Sequence, residues 1–176
     1  MVIWAANFTV VKSSVLAWPV LPFSAIRITC AGVIVLLWAR AAGANIRMNR
    51  RDLAVAALFG AIGQGIYQLL WAGSLGTINA GTSALLIAVT PFLIAVFAAV
   101  LGIERLRAPV AVGGLVAFTG VAAVAIGEGA GAFGGTTAGI LATLAAAACW
   151  ASYLLAGTRV IPRTGAIAWT GWSMVF

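Results

Sequence analysis

Gln64, Tyr67, Gln68 and Trp71 stand three, four and seven residues apart, a spacing that puts all four on one face of a helix. Two carboxamides there could donate and accept hydrogen bonds, and two aromatic rings could stack on a flat or aliphatic group. Asn7 and Ser14 are seven apart on an earlier stretch, with Trp4 three residues before Asn7. Lys12 and Arg27 are cations inside otherwise apolar runs, and both could receive an anionic group such as a carboxylate. Thr90 directly precedes Pro91 and lies seven residues after Ser83. Trp150 and Tyr153 share one helical face. This is the chemistry of reversible binding. Bond making would need paired acids, a His base or an activated nucleophile, and the chain has no His and three Asp+Glu in 176 residues. The reading is therefore of a protein that is not an enzyme. Metal and cofactor sites are not expected either: Cys30 and Cys149 are far apart, fit packing roles and form no CxxC-type pair.

The elements that position these groups are membrane helices. Apolar residues make up 64% of the chain and charged residues 7%, against about 25% charged in a soluble domain. Mean hydropathy is +1.15. A bilayer core of about 30 Å needs roughly 20 apolar residues in a helix. Four runs meet this without a charge: Leu53–Leu75, Gly81–Ile103, Pro109–Gly127 and Ala138–Gly157. Met1–Ala17 carries Lys12, Phe23–Ala39 carries Arg27, and a further run begins near Ala166 and meets the last residue at Phe176. The expected fold class is an all-α polytopic membrane protein with six transmembrane helices plus a partial seventh. Lys12 interrupts the first run where a signal peptide should be uninterrupted. That run is short and the seventh incomplete, so the expectation is a fragment or a misannotated start.

The formal charge of +7 would raise nucleic-acid binding in a soluble protein, but the cations sit in gaps between apolar runs. Arg40, Arg47, Arg50 and Arg51 lie in one gap, Arg105 and Arg107 in another, Arg159 and Arg163 in a third. The alternate connections, Trp18–Pro22, Gly76–Ala80 and Glu128–Thr137, hold no Lys or Arg. Eight of the ten cations thus mark one side, which makes that side and the N-terminus cytoplasmic. Partners are then the lipid bilayer and a small-molecule substrate, with no nucleic acid; a homodimer is left open.

A Gly-rich stretch over residues 128–137 reads as a linker. Past it, Trp150-Ala151-Ser152-Tyr153-Leu154 echoes Trp4-Ala5-Ala6-Asn7-Phe8, and Arg159 follows at the spacing of Lys12 to within one residue. A repeat unit of five helices is odd in number, so the second copy would start from the opposite side. Inverted repeats of this kind characterise secondary transporters, whose substrate site lies between the halves near the midplane. No phosphate-cradling GxxxxGK[ST] is present for an ATP-driven motor. No Asp or Glu falls inside a run, so facilitated or weakly coupled movement is expected.

The ordered set Trp4-Ala5-Ala6-Asn7-Phe8 with Lys12, Pro22-Phe23 with Arg27, Ala80-Gly81-Thr82-Ser83-Ala84 into Thr90-Pro91-Phe92, Gly102-Ile103-Glu104-Arg105-Leu106, and Gly113 to Gly120 resembles the EamA-type branch of the drug/metabolite transporter superfamily. The resemblance implies ten helices as five plus five, and export of amino acids, metabolites or drugs. It also implies that residues 1–127 form a complete first repeat, 128–137 a linker and 138–176 a truncated second repeat. On this reading the chain is part of a multi-pass permease in a bacterial cytoplasmic (inner) membrane. A non-transporting membrane scaffold or assembly subunit is the alternative. For the polar residues within helices, cavity lining and interhelical hydrogen bonding both stay open. For Lys12 and Arg27 the choice lies between interface anchors and a cationic mouth. Gly113, Ala117, Gly120 and Gly127 form a small-residue stripe expected to let another helix approach.

Overall fold

A computed structural model of the chain describes residues 10–14, 18–127 and 136–176, the side chains of 121–127 excepted. Trp4, Asn7 and most of the Gly-rich linker lie outside the described residues. After a helical stretch at 10–14, six helices follow: α1 Val20–Ala41, α2 Arg50–Ser74, α3 Ala80–Val100, α4 Ala108–Gly127, α5 Thr137–Thr164 and α6 Ala166–Val175. Among the described residues α1, α2, α3 and α5 are each long and apolar enough to cross a bilayer. Apolar side chains such as Leu37 and Trp38 on α1 and Leu115 on α4 stand exposed, as they must where the solvent is lipid. The chain is a multi-pass, all-helical membrane protein.

The helix ends follow local chemistry. α1 stops where Gly43 adopts φ +76; the Gly43 N–H then reaches the Arg40 carbonyl and the Ala44 N–H the Ala39 carbonyl, the paired bonds of a Schellman ending. Gly102 ends α3 in the same way at φ +65. Asn49 caps α2, its side chain accepting from the Asp52 N–H at 2.7 Å. α3 bends at Ala88–Val89, ahead of Pro91. Proline supplies no N–H to the carbonyl four residues back, and the Thr90 hydroxyl donates to that carbonyl, Ile87 O, at 2.6 Å.

α5 is 28 residues long, running through Pro162 to Thr164 and ending at Gly165 with φ +85. The apolar run ended at Gly157, so Arg159 and Arg163 lie on the helix itself and the connection to α6 shrinks to one glycine. At 1.5 Å per residue α5 measures roughly 42 Å, well over the hydrocarbon thickness of about 30 Å. Its cationic last turns therefore project beyond the apolar slab.

α5 packs against α2 and α3, and α6 packs against α1 and α2. These approaches are close. A Cβ on Gly63 would lie 2.2 Å from Tyr153 Cβ, and one on Gly60 would lie 2.3 Å from the Ser173 backbone oxygen. On α5, Ala146, Ala147 and Ala151 are fully buried. Between Gly60 and Tyr67, α2 widens into a π-helix over Ala61–Ile66, the looser winding that often marks functional sites. α4 touches the rest through α3: the Phe92 and Phe118 rings meet edge to face at 5.7 Å, and a Cβ on Gly114 would clash with Phe92. The glycine stripe is thus one position out of register with the contact, since Gly113 and Gly120 have nothing within 4 Å. Of the two cysteines, Cys149 is half-buried, whereas Cys30 is exposed on the outer face.

One ion pair among the described residues ties α2 to α5. Arg163 Nη2 lies 2.5 Å from Asp52 Oδ1, and its Nε lies 3.0 Å from both carboxylate oxygens. Asp52 is 2% exposed and the Arg163 side chain 53%, so the pair is buried on the carboxylate side only.

Two outcomes follow from this packing. Gly63→Ala should cost about 1–3 kcal/mol of stability by overpacking, seen as a lower unfolding midpoint in detergent, while Gly65→Ala, with nothing within 4 Å, should leave the midpoint unchanged or raise it. Removing the guanidinium strands the buried carboxylate. Arg163→Ala should therefore lower the midpoint further than the double variant Asp52→Ala/Arg163→Ala, measured in the same assay.

Candidate functional site

The π-turn decides how the α2 side chains are aimed. The wider turn resets the phase of Gln64 against the residues after it, while Tyr67, Gln68 and Trp71 share one regular stretch in which Gln68, turned 100° from Tyr67, meets a different neighbour from the two rings. The amides serve α1. Arg27 Nη2 donates to Gln68 Oε1 at 2.9 Å, and Gln64 lines a cavity of about 170 Å³ with Ser24, Ile28 and Met174. The rings serve α5. Tyr67 and Trp71 stack at 6.0 Å, and Tyr67 meets Trp150 at 5.1 Å.

From Trp150 the stack continues. Trp150 and Tyr153 are 5.1 Å apart and Tyr153 and Trp169 5.2 Å, with interplanar angles of 27° and 22°. Five rings, Trp71, Tyr67, Trp150, Tyr153 and Trp169, therefore run unbroken from α2 through α5 to α6. They join the two buried apolar clusters, one around Trp71, Leu75 and Ala147 and the other around Ala56, Val160 and Trp169. Each aromatic contact is worth about 0.5–1.5 kcal/mol beyond burial. The Tyr153 hydroxyl, 3.0 Å from Ser173 Oγ, completes the buried polar contacts at that end.

Arg27 is half-buried, with its guanidinium 5.7 Å from the centre of the Phe23 ring. Its position is interior rather than at a lipid interface. Lys12 is also half-buried and donates to the Ile78 carbonyl at 2.9 Å. Ile78 lies in the connection without cations between α2 and α3. Nearby, the Thr143 hydroxyl on α5 lies 2.8 Å from Ser74 Oγ and 2.9 Å from the Gly139 carbonyl. Thr90 is buried and bonded within its own helix, so its hydroxyl proton is committed to the α3 bend.

Of the residues singled out from the sequence, Arg27, Gln68, Tyr67, Trp71, Trp150 and Tyr153 come together in one seam. Gln64 stands beside it facing α1 and α6, while Lys12 and Thr90 make separate contacts. Trp169, Ser173 and the Asp52–Arg163 pair were not singled out. Trp169 and Ser173 are four apart and share a helical face, a signal the sequence held in its incomplete last run. The seam offers one cation, amide and hydroxyl groups, and a long aromatic wall: equipment to hold a polar head beside an apolar body. Among the described residues no group of three or more His, Cys, Asp or Glu comes together to hold a metal.

The chain can now be set beside known proteins. The model of the EamA-like transporter family matches residues 1–126. Over 129 residues the chain is 34% identical to a protein of Streptantibioticus cattleyicolor named "Probable terminal-alkyne amino-acid exporter", an alignment covering 73% of this chain and 43% of the relative. The chain thus spans less than half the length of that curated relative. No solved structure matches it. The family is one of transporters, with no catalytic activity in its description, and the match takes in α1 to α4 together with the Arg27, Gln68 and Tyr67 side of the seam. This chain belongs to the EamA-like transporter family.

Proposed function

We propose that the protein to which this chain belongs is a secondary, non-ATP exporter of small amino-acid-like or amphipathic compounds. Its substrate sits in a central cavity between two inverted five-helix repeats. Residues 1–127 are the first repeat, 128–137 the linker and 138–176 the opening of the second, giving six spans and part of a seventh here. The N-terminus faces the cytoplasm of a bacterial cell, with the protein in its cytoplasmic membrane. Family membership supports the class of activity, and the relative's printed name supports an amino acid as the cargo.

The observation that carries the reading is the seam itself. Arg27 and Gln68 form a polar pair flanked by rings contributed from both sides of the linker. A carboxylate would exchange the Gln68 amide for itself on the Arg27 guanidinium, gaining a charge-assisted bond, while the rest of the molecule lies along Tyr67, Trp71 and Trp150. In the conformation described the rings pack on one another, so substrate would be admitted as the two repeats part. Full packing of those rings also favours a second reading, a membrane scaffold in which the seam is only glue.

Flux separates the two. In vesicles containing the full-length protein, Arg27→Gln should slow export of labelled amino acids about tenfold or more, the loss expected for one hydrogen bond to a charged group, and Gln68→Ala, which removes the amide that the carboxylate displaces, should slow it less. Unchanged flux, or no flux of amino acids, nucleobases or cationic drugs in the parent, would favour the scaffold. Orientation is read independently. In intact cells a membrane-impermeant maleimide should label Ala132→Cys in the linker and leave Ala44→Cys, between α1 and α2, unlabelled in a cysteine-free background.

A further inference from the structure

A second opening lies away from the seam. A cavity of about 450 Å³ lies between α2, α3 and α5, walled by Val55, Phe59, Phe97, Val100, Leu155 and Val160. Arg51, Arg159 and Arg163 line it as well, and no acid is among the described lining residues. These cations come from two of the three cation-bearing gaps. Because α5 continues to Thr164, Arg159 and Arg163 are four apart on one helical face with Ser152, Leu155 and Ala156 below them.

The cavity is graded along its length. On α2 it runs from Arg51 through Val55 to Phe59, eight residues or about 12 Å at 1.5 Å per residue. It is cationic at the end where α5 overshoots the hydrocarbon and apolar towards the bilayer centre. Asp52 engages Arg163, while Arg51 and Arg159 are exposed at the rim. Glu104, the acid next to the lining residue Ile103, is exposed. A soluble anion would use the rim and leave the apolar walls wet. An amphiphile with an anionic head and an alkyl chain uses both. Basic pockets between helices on the cytoplasmic side are suited to anionic headgroups, and the cytoplasmic leaflet supplies them.

We propose that this cavity binds one anionic phospholipid of the cytoplasmic leaflet, its phosphate between Arg51 and Arg159 and an acyl chain along Val55, Phe59 and Leu155. The Asp52–Arg163 pair forms the back of the headgroup site and holds α2 and α5 at the spacing the chain needs. The leaflet follows from the proposed orientation; the binding itself does not.

The test uses the full-length protein in detergent, where orientation and transport play no part, with lipid retention read by native mass spectrometry. Phosphatidylglycerol should bind more tightly than phosphatidylcholine. Arg51→Gln and Arg159→Gln should each weaken phosphatidylglycerol about fivefold and together about 25-fold, taking about 1 kcal/mol per cation. Val55→Trp, which fills the apolar part without changing charge, should weaken both lipids. Arg105→Gln, a cation at the same end that does not line the cavity, should change affinity less than twofold. Equal retention of the two lipids overturns the proposal, as does an Arg105→Gln effect matching that of Arg159→Gln. Displacement of the lipid by glycerol 3-phosphate at equal concentration would make the site one for free anions, and would overturn it too.

Discussion

The approach of α5 to α2 is the constraint on which the rest of this structure depends. In lipid, apolar surface gains little by leaving one hydrocarbon surrounding for another, so helices are held by close packing and by polar contacts. Gly63 meets the Tyr153 side chain with no room for a methyl group, and the buried alanines of α5 keep the remainder of that interface narrow. At this separation the Tyr67, Trp150 and Tyr153 rings reach one another. A spacing wider by one side chain would pull the ring stack apart, and with it the continuity between the two apolar clusters.

Close packing also gives the π-turn a role. Gly60 must meet α6 at Ser173, Gly63 must meet α5 at Tyr153, and Gln68 must meet α1 at Arg27. A uniform α-helix distributes its side chains at a fixed 100° per residue. The wider turn over Ala61–Ile66 resets that phase once, between the glycine contacts and the ring face. Two glycines in that turn lower the crowding that a wider winding would otherwise meet. One helix thereby serves three neighbours, with Gln68 turned to α1 and the rings of Tyr67 and Trp71 on the adjoining side towards α5.

This division is also where reading the sequence reaches its limit. The apolar runs and the placement of Arg, Gln and Trp were visible because they follow from hydrophobic transfer and from the cost of charge in lipid, both local properties. The seam residues were visible as intramembrane polar and aromatic groups. What could not be seen depends on contacts between distant segments. The π-turn answers to packing at Ser173 and Tyr153. The α5 helix passes Gly157 and Pro162, and its last turn meets Asp52, 111 residues away. The register of α4 is set by the Phe92 ring, which selects Gly114 where the stripe suggested Gly113. Residues 1–9, which include Trp4 and Asn7, lie outside what the structure describes, and the test of their role lies with flux.

The distribution of polar contacts along the seam bears on how the proposed repeats would part. At the arginine-bearing end α2 and α5 share a bidentate ion pair whose carboxylate is buried. At the other end the contacts between α2 and α5 are neutral, Thr143 with Ser74 and the Thr136 N–H with the Thr77 carbonyl, and the one charged donor there, Lys12, bonds the Ile78 carbonyl from outside both helices. Neutral hydrogen bonds exchange readily with water once an opening admits it, at a net cost of about 0.5–1.5 kcal/mol each. A charge left unpaired in a buried place has no such substitute. In this conformation the neutral contacts between α2 and α5 are therefore the easier to exchange, and parting the arginine-bearing end requires water to reach the Asp52 carboxylate and water or an anion-bearing group to take its place on Arg163, whose side chain is already 53% exposed. The graded cavity beside that pair is where such a group can stand. The Arg163 guanidinium belongs both to that ion pair and to the cavity lining, so a lipid bound there as proposed would bear on how that end parts.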